Sequence, residues 1–261
     1  MDRHASRPVS RLALRALTWA ALPALLVVGC TSDSGGDTSD DEAREETAPS
    51  PEPVRFSALP DPCSVLGEDT VGEAVPEADP VGGETLTSND TTTSGACLWS
   101  GLDAYQFRSL TVALRRFESD VAIGSGAERA GEYVRQMAEE ISGDEANRDV
   151  ESADLRDTGD WAVTLGYTTT VESEEEGEQD YRQHRVVVQT DNVVITLDYS
   201  GAGFEGDDMP GADSVKETAE ATARQVLQAV ESSAEAGAEG QEQGEDQGAE
   251  GDPPASTTGG E

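Results

Sequence analysis

Apolar and polar residues alternate through Gln106–Phe117, with Leu110, Val112 and Leu114 on one side and Ser109, Thr111 and Arg115 on the other. A period of two is that of a strand with one buried face. The alternation returns at Trp161, Val163, Leu165, Tyr167 and Thr169, at Val186 and Val188, and at Val193, Ile195, Leu197 and Tyr199. Asp191-Asn192 between the last two runs predicts a two-residue hairpin turn, and residues 97–100 predict a short additional strand. Elsewhere the period becomes helical. Across 127–141, Ala127, Ala130, Val134, Met137 and Ile141 recur at spacings of three and four, while Arg129, Glu132, Arg135 and Glu139 take the opposite side. Across about 212–230, Val215, Ala219, Ala223, Val226 and Val230 form one stripe with Leu227 beside it. A shorter helix is predicted after Leu59-Pro60, where Asp61 is suited to cap it and Pro62 to occupy its first position, followed by Val65, Leu66, Val71 and Ala74.

The order is therefore helix, two strands, helix, three strands, helix. Strands joined by short turns predict an antiparallel sheet, and helices with a single apolar stripe need one surface to cover. The expected fold is α+β in two layers, with about five strands and the amphipathic helices on one face. It should occupy residues 59–231, with the acidic stretch 171–180 projecting as a loop.

Outside these limits the pattern changes. Residues 1–29 carry Arg3, Arg7, Arg11 and Arg15 ahead of an apolar run from Ala16 to Gly29, and Cys30 follows directly. Fourteen helical residues span about 21 Å, short of the ~30 Å hydrocarbon core. A basic segment, a short apolar segment and a small residue before cysteine form a lipoprotein signal. It predicts cleavage before Cys30, lipidation of its thiol and attachment to the extracytoplasmic face of the cell membrane. The competing reading leaves Cys30 as an ordinary thiol. Residues 31–58, rich in Ser, Asp, Glu and Pro, read as a disordered acidic tether, and 232–261, acidic and without a large apolar residue, as a disordered tail.

Charge narrows the possible partners. Residues 1–29 hold four Arg and one Asp, so the remainder carries 13 basic and 53 acidic side chains, a formal charge of −40. Such a chain has little with which to neutralise phosphates, and nucleic-acid binding is excluded as a general mode. The expected partners are the membrane, through lipid on Cys30, and an unknown envelope protein or small ligand. With Cys30 lipidated, Cys63 and Cys97 form an even pair in an oxidising compartment, which predicts a disulfide. Two free thiols in a redox or metal site are the alternative, but there is no CxxC spacing and no neighbouring histidine.

Catalytic chemistry finds little footing. His184 is the sole histidine beyond the leader, and its setting, Arg182-Gln183-His184-Arg185, suggests an exposed strand residue. No GxSxG elbow and no zinc-ligand spacing are present. The carboxylates of 172–180 lack the pattern of a calcium loop. No catalytic residue, metal ligand or cofactor is therefore assigned. The side chains best suited to face a ligand are Trp99, Tyr105, Arg115 and Trp161, each with core packing or structural pairing as its competing role.

Asp61-Pro62-Cys63, Cys97-Leu98-Trp99, the Gly159-Asp160 turn and the terminal amphipathic helix together resemble a family of actinobacterial secreted lipoproteins built on a domain of unknown function. The likeness covers about residues 58–231 and the leader. It implies an extracytoplasmic, disulfide-bonded α+β domain and carries over no catalytic residue. Expected is a non-enzymatic binding or accessory module of the cell envelope; the alternatives are a carboxylate-dependent envelope hydrolase and a sensor-like protein-interaction domain.

Overall fold

The structure, a computed structural model, describes residues 49–173 and 177–245. The leader, Cys30, residues 31–48 and residues 246–261 lie outside the described residues. A 3₁₀ turn, Pro62–Ser64, leads into helix α1, Glu68–Ala74. Three strands follow: β1, Glu84–Leu86; β2, Ser94–Asp103; and β3, Gln106–Arg116. Helix α2, Gly126–Gly143, precedes β4, Arg148–Asp154, β5, Trp161–Ser173, β6, Gly177–Thr190, and β7, Val193–Gly203; α3, Ala212–Glu245, closes the domain. The strands form one antiparallel sheet of seven in the order β1-β2-β3-β7-β6-β5-β4.

The local signals explain these elements. Asp61 caps the 3₁₀ turn by accepting from the Cys63 N–H, with Pro62 next. Ser125 opens α2 in a capping box with Glu128, which satisfies donors that a helix start leaves free. Asp191-Asn192 turns β6 into β7, with Thr190 opposite Val193 and Asp191 at positive φ. Burial of the α3 stripe at about 1.5–3 kcal/mol per fully buried valine outweighs helix propensity as the source of its stability.

The helices cover both faces of the sheet, not one. Along β6 the side chains alternate: Val186 and Val188 join a core with Val215, Ala219, Ala223 and Val226 of α3, whereas Val187 joins Ala130, Val134 and Ile141 of α2. On β7, Ile195 belongs to the first core and Val194 to the second. The central strands bury both faces, so two layers cannot enclose them. The two strands beyond the expected five, β1 and β4, are edge strands whose residues are almost all exposed, so they carry no hydrophobic alternation. Residues 171–173 and 177–180 are paired strand rather than loop, with Val171 opposite Gln179.

Both expected domain limits move outward. Arg55 and Phe56, placed in the tether by composition, dock on the β6–β7 turn, and Phe56 is only 1% exposed. Asn192 explains why: its Oδ1 accepts from the Phe56 N–H at 3.0 Å, while its Nδ2 donates to the carbonyls of Phe56 at 3.0 Å and Phe117 at 2.9 Å. At the other end α3 continues through 232–245, because extending an existing helix is far easier than nucleating one, even across the poor helix formers Gly237, Gly240 and Gly244.

Cys63 and Cys97 are joined, with Cα atoms 5.1 Å apart. The disulfide ties the 3₁₀ turn to β2 and constrains the unfolded chain by about 4 kcal/mol in the loop-entropy picture. Gly83 passes directly above it. A Cβ there would fall 2.5 Å from Cys97 Sγ and 2.7 Å from the Trp99 ring, and its φ is +76°, so glycine is required twice over.

Asn192→Ala leaves three buried backbone groups without their partner, and unfolding in urea should show a loss of about 2–4 kcal/mol. A loss below about 0.5 kcal/mol means that Asn192 does not hold the incoming segment.

Candidate functional site

Of the four side chains expected to face a ligand, none lines the cavity beside the start of α3. Trp99 is 1% exposed, packs beside the disulfide in the first core, and donates from Nε1 to the Val81 carbonyl at 3.1 Å. Trp161 is half-buried against the second core. Arg115 stacks over the rings of Phe117 and Tyr133, its guanidinium carbon 5.3 Å and 4.8 Å from their centroids. Tyr105 is exposed at the β2–β3 turn. The structure does not bring these four together.

The cavity, of about 440 Å³, opens where the first turn of α3 lies across β4 and the middle of β5 and β6. The register explains its wall. Glu151, Gly166 and His184 stand in one cross-strand row, with Thr168 and Arg182 in the next row outward and Ala153, Thr164 and Val186 in the next inward. These rows share the face that carries Val186 and Val188 into the α3 core. The valines end at Val186, and polar residues line the surface beyond. Val215 and Lys216 approach from α3, with Asp213 at the helix start and Asp149 at the β4 edge. Gly166 contributes the space itself, since a Cβ there would come 3.2 Å from His184 Nδ1.

His184 is 6% exposed, not the surface residue that its cationic neighbours in sequence suggest. Those neighbours divide by parity: Arg182 shares the face of His184, while Arg185 points to the opposite face and forms a bidentate pair with Asp198. The imidazole Nε2 is hydrogen-bonded to Thr164 Oγ1. Burial, and after it the charge of Lys216, push its pKa down to about 4, so the ring is neutral at neutral pH.

The two cations of the site are weakly engaged. Among the described residues Arg182 forms no ion pair, and its Nε is buried without a hydrogen-bond partner. Lys216 meets Glu220 only at 3.9 Å. Neither cation is within ion-pair distance of Glu151, Asp149 or Asp213, although all five line one cavity. Among the described residues no group of three or more His, Cys, Asp and Glu side chains is arranged to hold a metal.

The sequence contained part of this site. Arg182 and His184 fall at the same parity as Val186 and Val188, which places them on the covered face. Glu151 and Asp149 carried no such signal, because Val150 and Ala153, the two apolar residues of β4, do not alternate with its polar ones. Compared with protein families, curated proteins and solved structures, the chain matches none.

A depressed histidine pKa has a defined effect on stability. Below about 6.5 the unfolded chain takes up a proton that the folded chain refuses, so the contribution of His184 is complete above that pH and is lost as the pH falls toward about 4. In protein beginning at residue 31, His184 is the sole histidine, and its ring resonance in NMR should titrate with a midpoint near 4. A midpoint above 6 contradicts the buried placement.

Proposed function

We propose that the chain is a lipid-anchored, extracytoplasmic binding module of the bacterial cell envelope that takes a small ligand into the cavity beside α3. The cavity carries this reading. It is a concave space between the sheet and a helix into which charged side chains converge without pairing with one another, and convergent polar groups of this kind are what fix the orientation of a small ligand.

Binding is favoured over hydrolysis by the state of His184. Its Nε2 is already engaged with Thr164, and a group with a pKa of about 4 is a weak base near neutrality. The address comes from the leader and Cys30, which lie outside the described residues. No helix among the described residues is long and apolar enough to cross a membrane. Phe56 docks on Asn192, so a lipid on Cys30 would hold the domain through residues 31–48 and this clamp.

Two measurements test the proposal. Palmitate fed to expressing cells should label the protein and should not label Cys30→Ala; label that survives the substitution removes the anchor. In NMR titrations of the domain with envelope solutes, at least one solute should shift the amides of Thr164, Gly166, Thr168, Arg182 and His184 together. Shifts confined to other surfaces, or no shift with any solute, remove the cavity as the binding site.

A further inference from the structure

We infer that the cavity is selective for small zwitterions carrying a carboxylate and an ammonium close together, as in an amino acid, with the carboxylate on Arg182 and Lys216 and the ammonium on Glu151 and Asp149. This rests on the reading of the cavity as a ligand site.

The charges of the lining support this assignment. Arg182 is set into the sheet wall with a buried, unpartnered Nε, and Lys216 lines the same cavity from α3 with only a 3.9 Å contact to Glu220. A guanidinium placed this way is ready to meet a carboxylate. A simple anion would also meet Glu151, Asp149 and Asp213 in the same cavity, on a chain of formal charge −37. A simple cation meets the reverse problem, because Arg182 and Lys216 line the same cavity and repel it. A neutral solute leaves both sets of charges as they are.

Register gives the spacing. Glu151 on β4 and Arg182 on β6 are two strands apart, about 10 Å at 4.7–4.9 Å per strand, and one cross-strand row apart along them. Gly166 lies between the strands and keeps that space clear. The opposite charges do not close the gap themselves. An ammonium and a carboxylate on one carbon, with a hydrogen bond of about 2.8 Å at each end, can span it. His184 remains neutral beside the cations and so adds no third positive charge.

The test uses glycine, leucine, glutamine and phenylalanine as zwitterions, with 4-methylpentanoate and 3-methylbutylamine as the leucine analogues that lack one charge each, and glucose as the neutral probe. Binding to the full domain is read by calorimetry and by NMR shifts at Gly166 and His184. At least one amino acid should bind. If leucine is among the binders, each analogue should bind about tenfold or more weakly. Arg182→Gln and Glu151→Gln should each weaken the bound amino acid by a similar factor while circular dichroism and thermal unfolding stay near those of the parent; Lys216→Gln, on an exposed side chain, provides a second variant that does not disturb the sheet. Equal binding of leucine and 4-methylpentanoate overturns the assignment in favour of a plain anion site. Glucose binding in the cavity, unchanged in Arg182→Gln, overturns the zwitterion while leaving the cavity as a ligand site. No binding by any of the four amino acids also overturns it, and the wider solute titration then decides separately whether the cavity binds anything.

Discussion

The β6–β7 hairpin is buried on both faces, and the rest of the architecture follows from that. Val186, Val187 and Val188 lie in sequence on β6 and Val193, Val194 and Ile195 on β7, and all six are fully buried. Successive residues of a strand point to opposite faces, so a run of three buried valines needs apolar cover above and below. Helix α3 with α1 supplies it on one face and α2 on the other. Asn192 at the hairpin turn adds the incoming chain and the end of β3 to the same centre through three side-chain hydrogen bonds. A hairpin so placed can neither slip register nor lose one helix without exposing a continuous apolar strip.

The cavity follows from the same strand read outward. On the α3 face β6 proceeds from Val188 and Val186 to His184, Arg182 and Asp180, a passage from apolar to ionised within nine residues. Helix α3 extends over the first polar positions before its N-terminal end is reached. Its cover therefore outlasts the apolar wall beneath it, and the space between becomes a polar cavity. The acidic surface elsewhere sharpens the contrast. In a chain with 54 carboxylates and 17 basic side chains, Arg182 is one of few cations, yet it stands among the described residues without an ion pair.

Much of this was legible in the sequence where burial affects one face only. Leu110, Val112 and Leu114, the α3 stripe, the Asp61-Pro62 start and the Asp191-Asn192 turn each announce themselves through a period or a cap, and the Cys63–Cys97 link follows from counting cysteines. The number of layers was less legible because the alternating sets on β6 and β7 draw the eye past Val187 and Val194, the intervening residues that betray the second buried face. The edge strands escaped for the opposite reason: Glu84–Leu86 and Arg148–Asp154 bury almost nothing, so only pairing with β2 and β5 defines them. Trp99 illustrates a different limit. Nothing in its local sequence separates a ring that faces a ligand from one that fills the space beside a disulfide.

His184 shows why the polar wall can be accommodated next to a close-packed core. A protonated imidazole at this position would be a desolvated charge facing Lys216, and both effects oppose it, so the ring stays neutral and exchanges a hydrogen bond with Thr164. Thr164 and Thr168 similarly present methyl groups beside their hydroxyls, which lets the sheet pass from valine to charge without stranding many polar atoms. The residual imbalance falls on Arg182, whose Nε is buried and unpartnered. An unsatisfied guanidinium nitrogen costs folding free energy, and here that cost lies at the wall of a cavity rather than in the core. The same side chain supplies the positive charge of the sheet wall, which ties the electrostatic character of the cavity to this local cost.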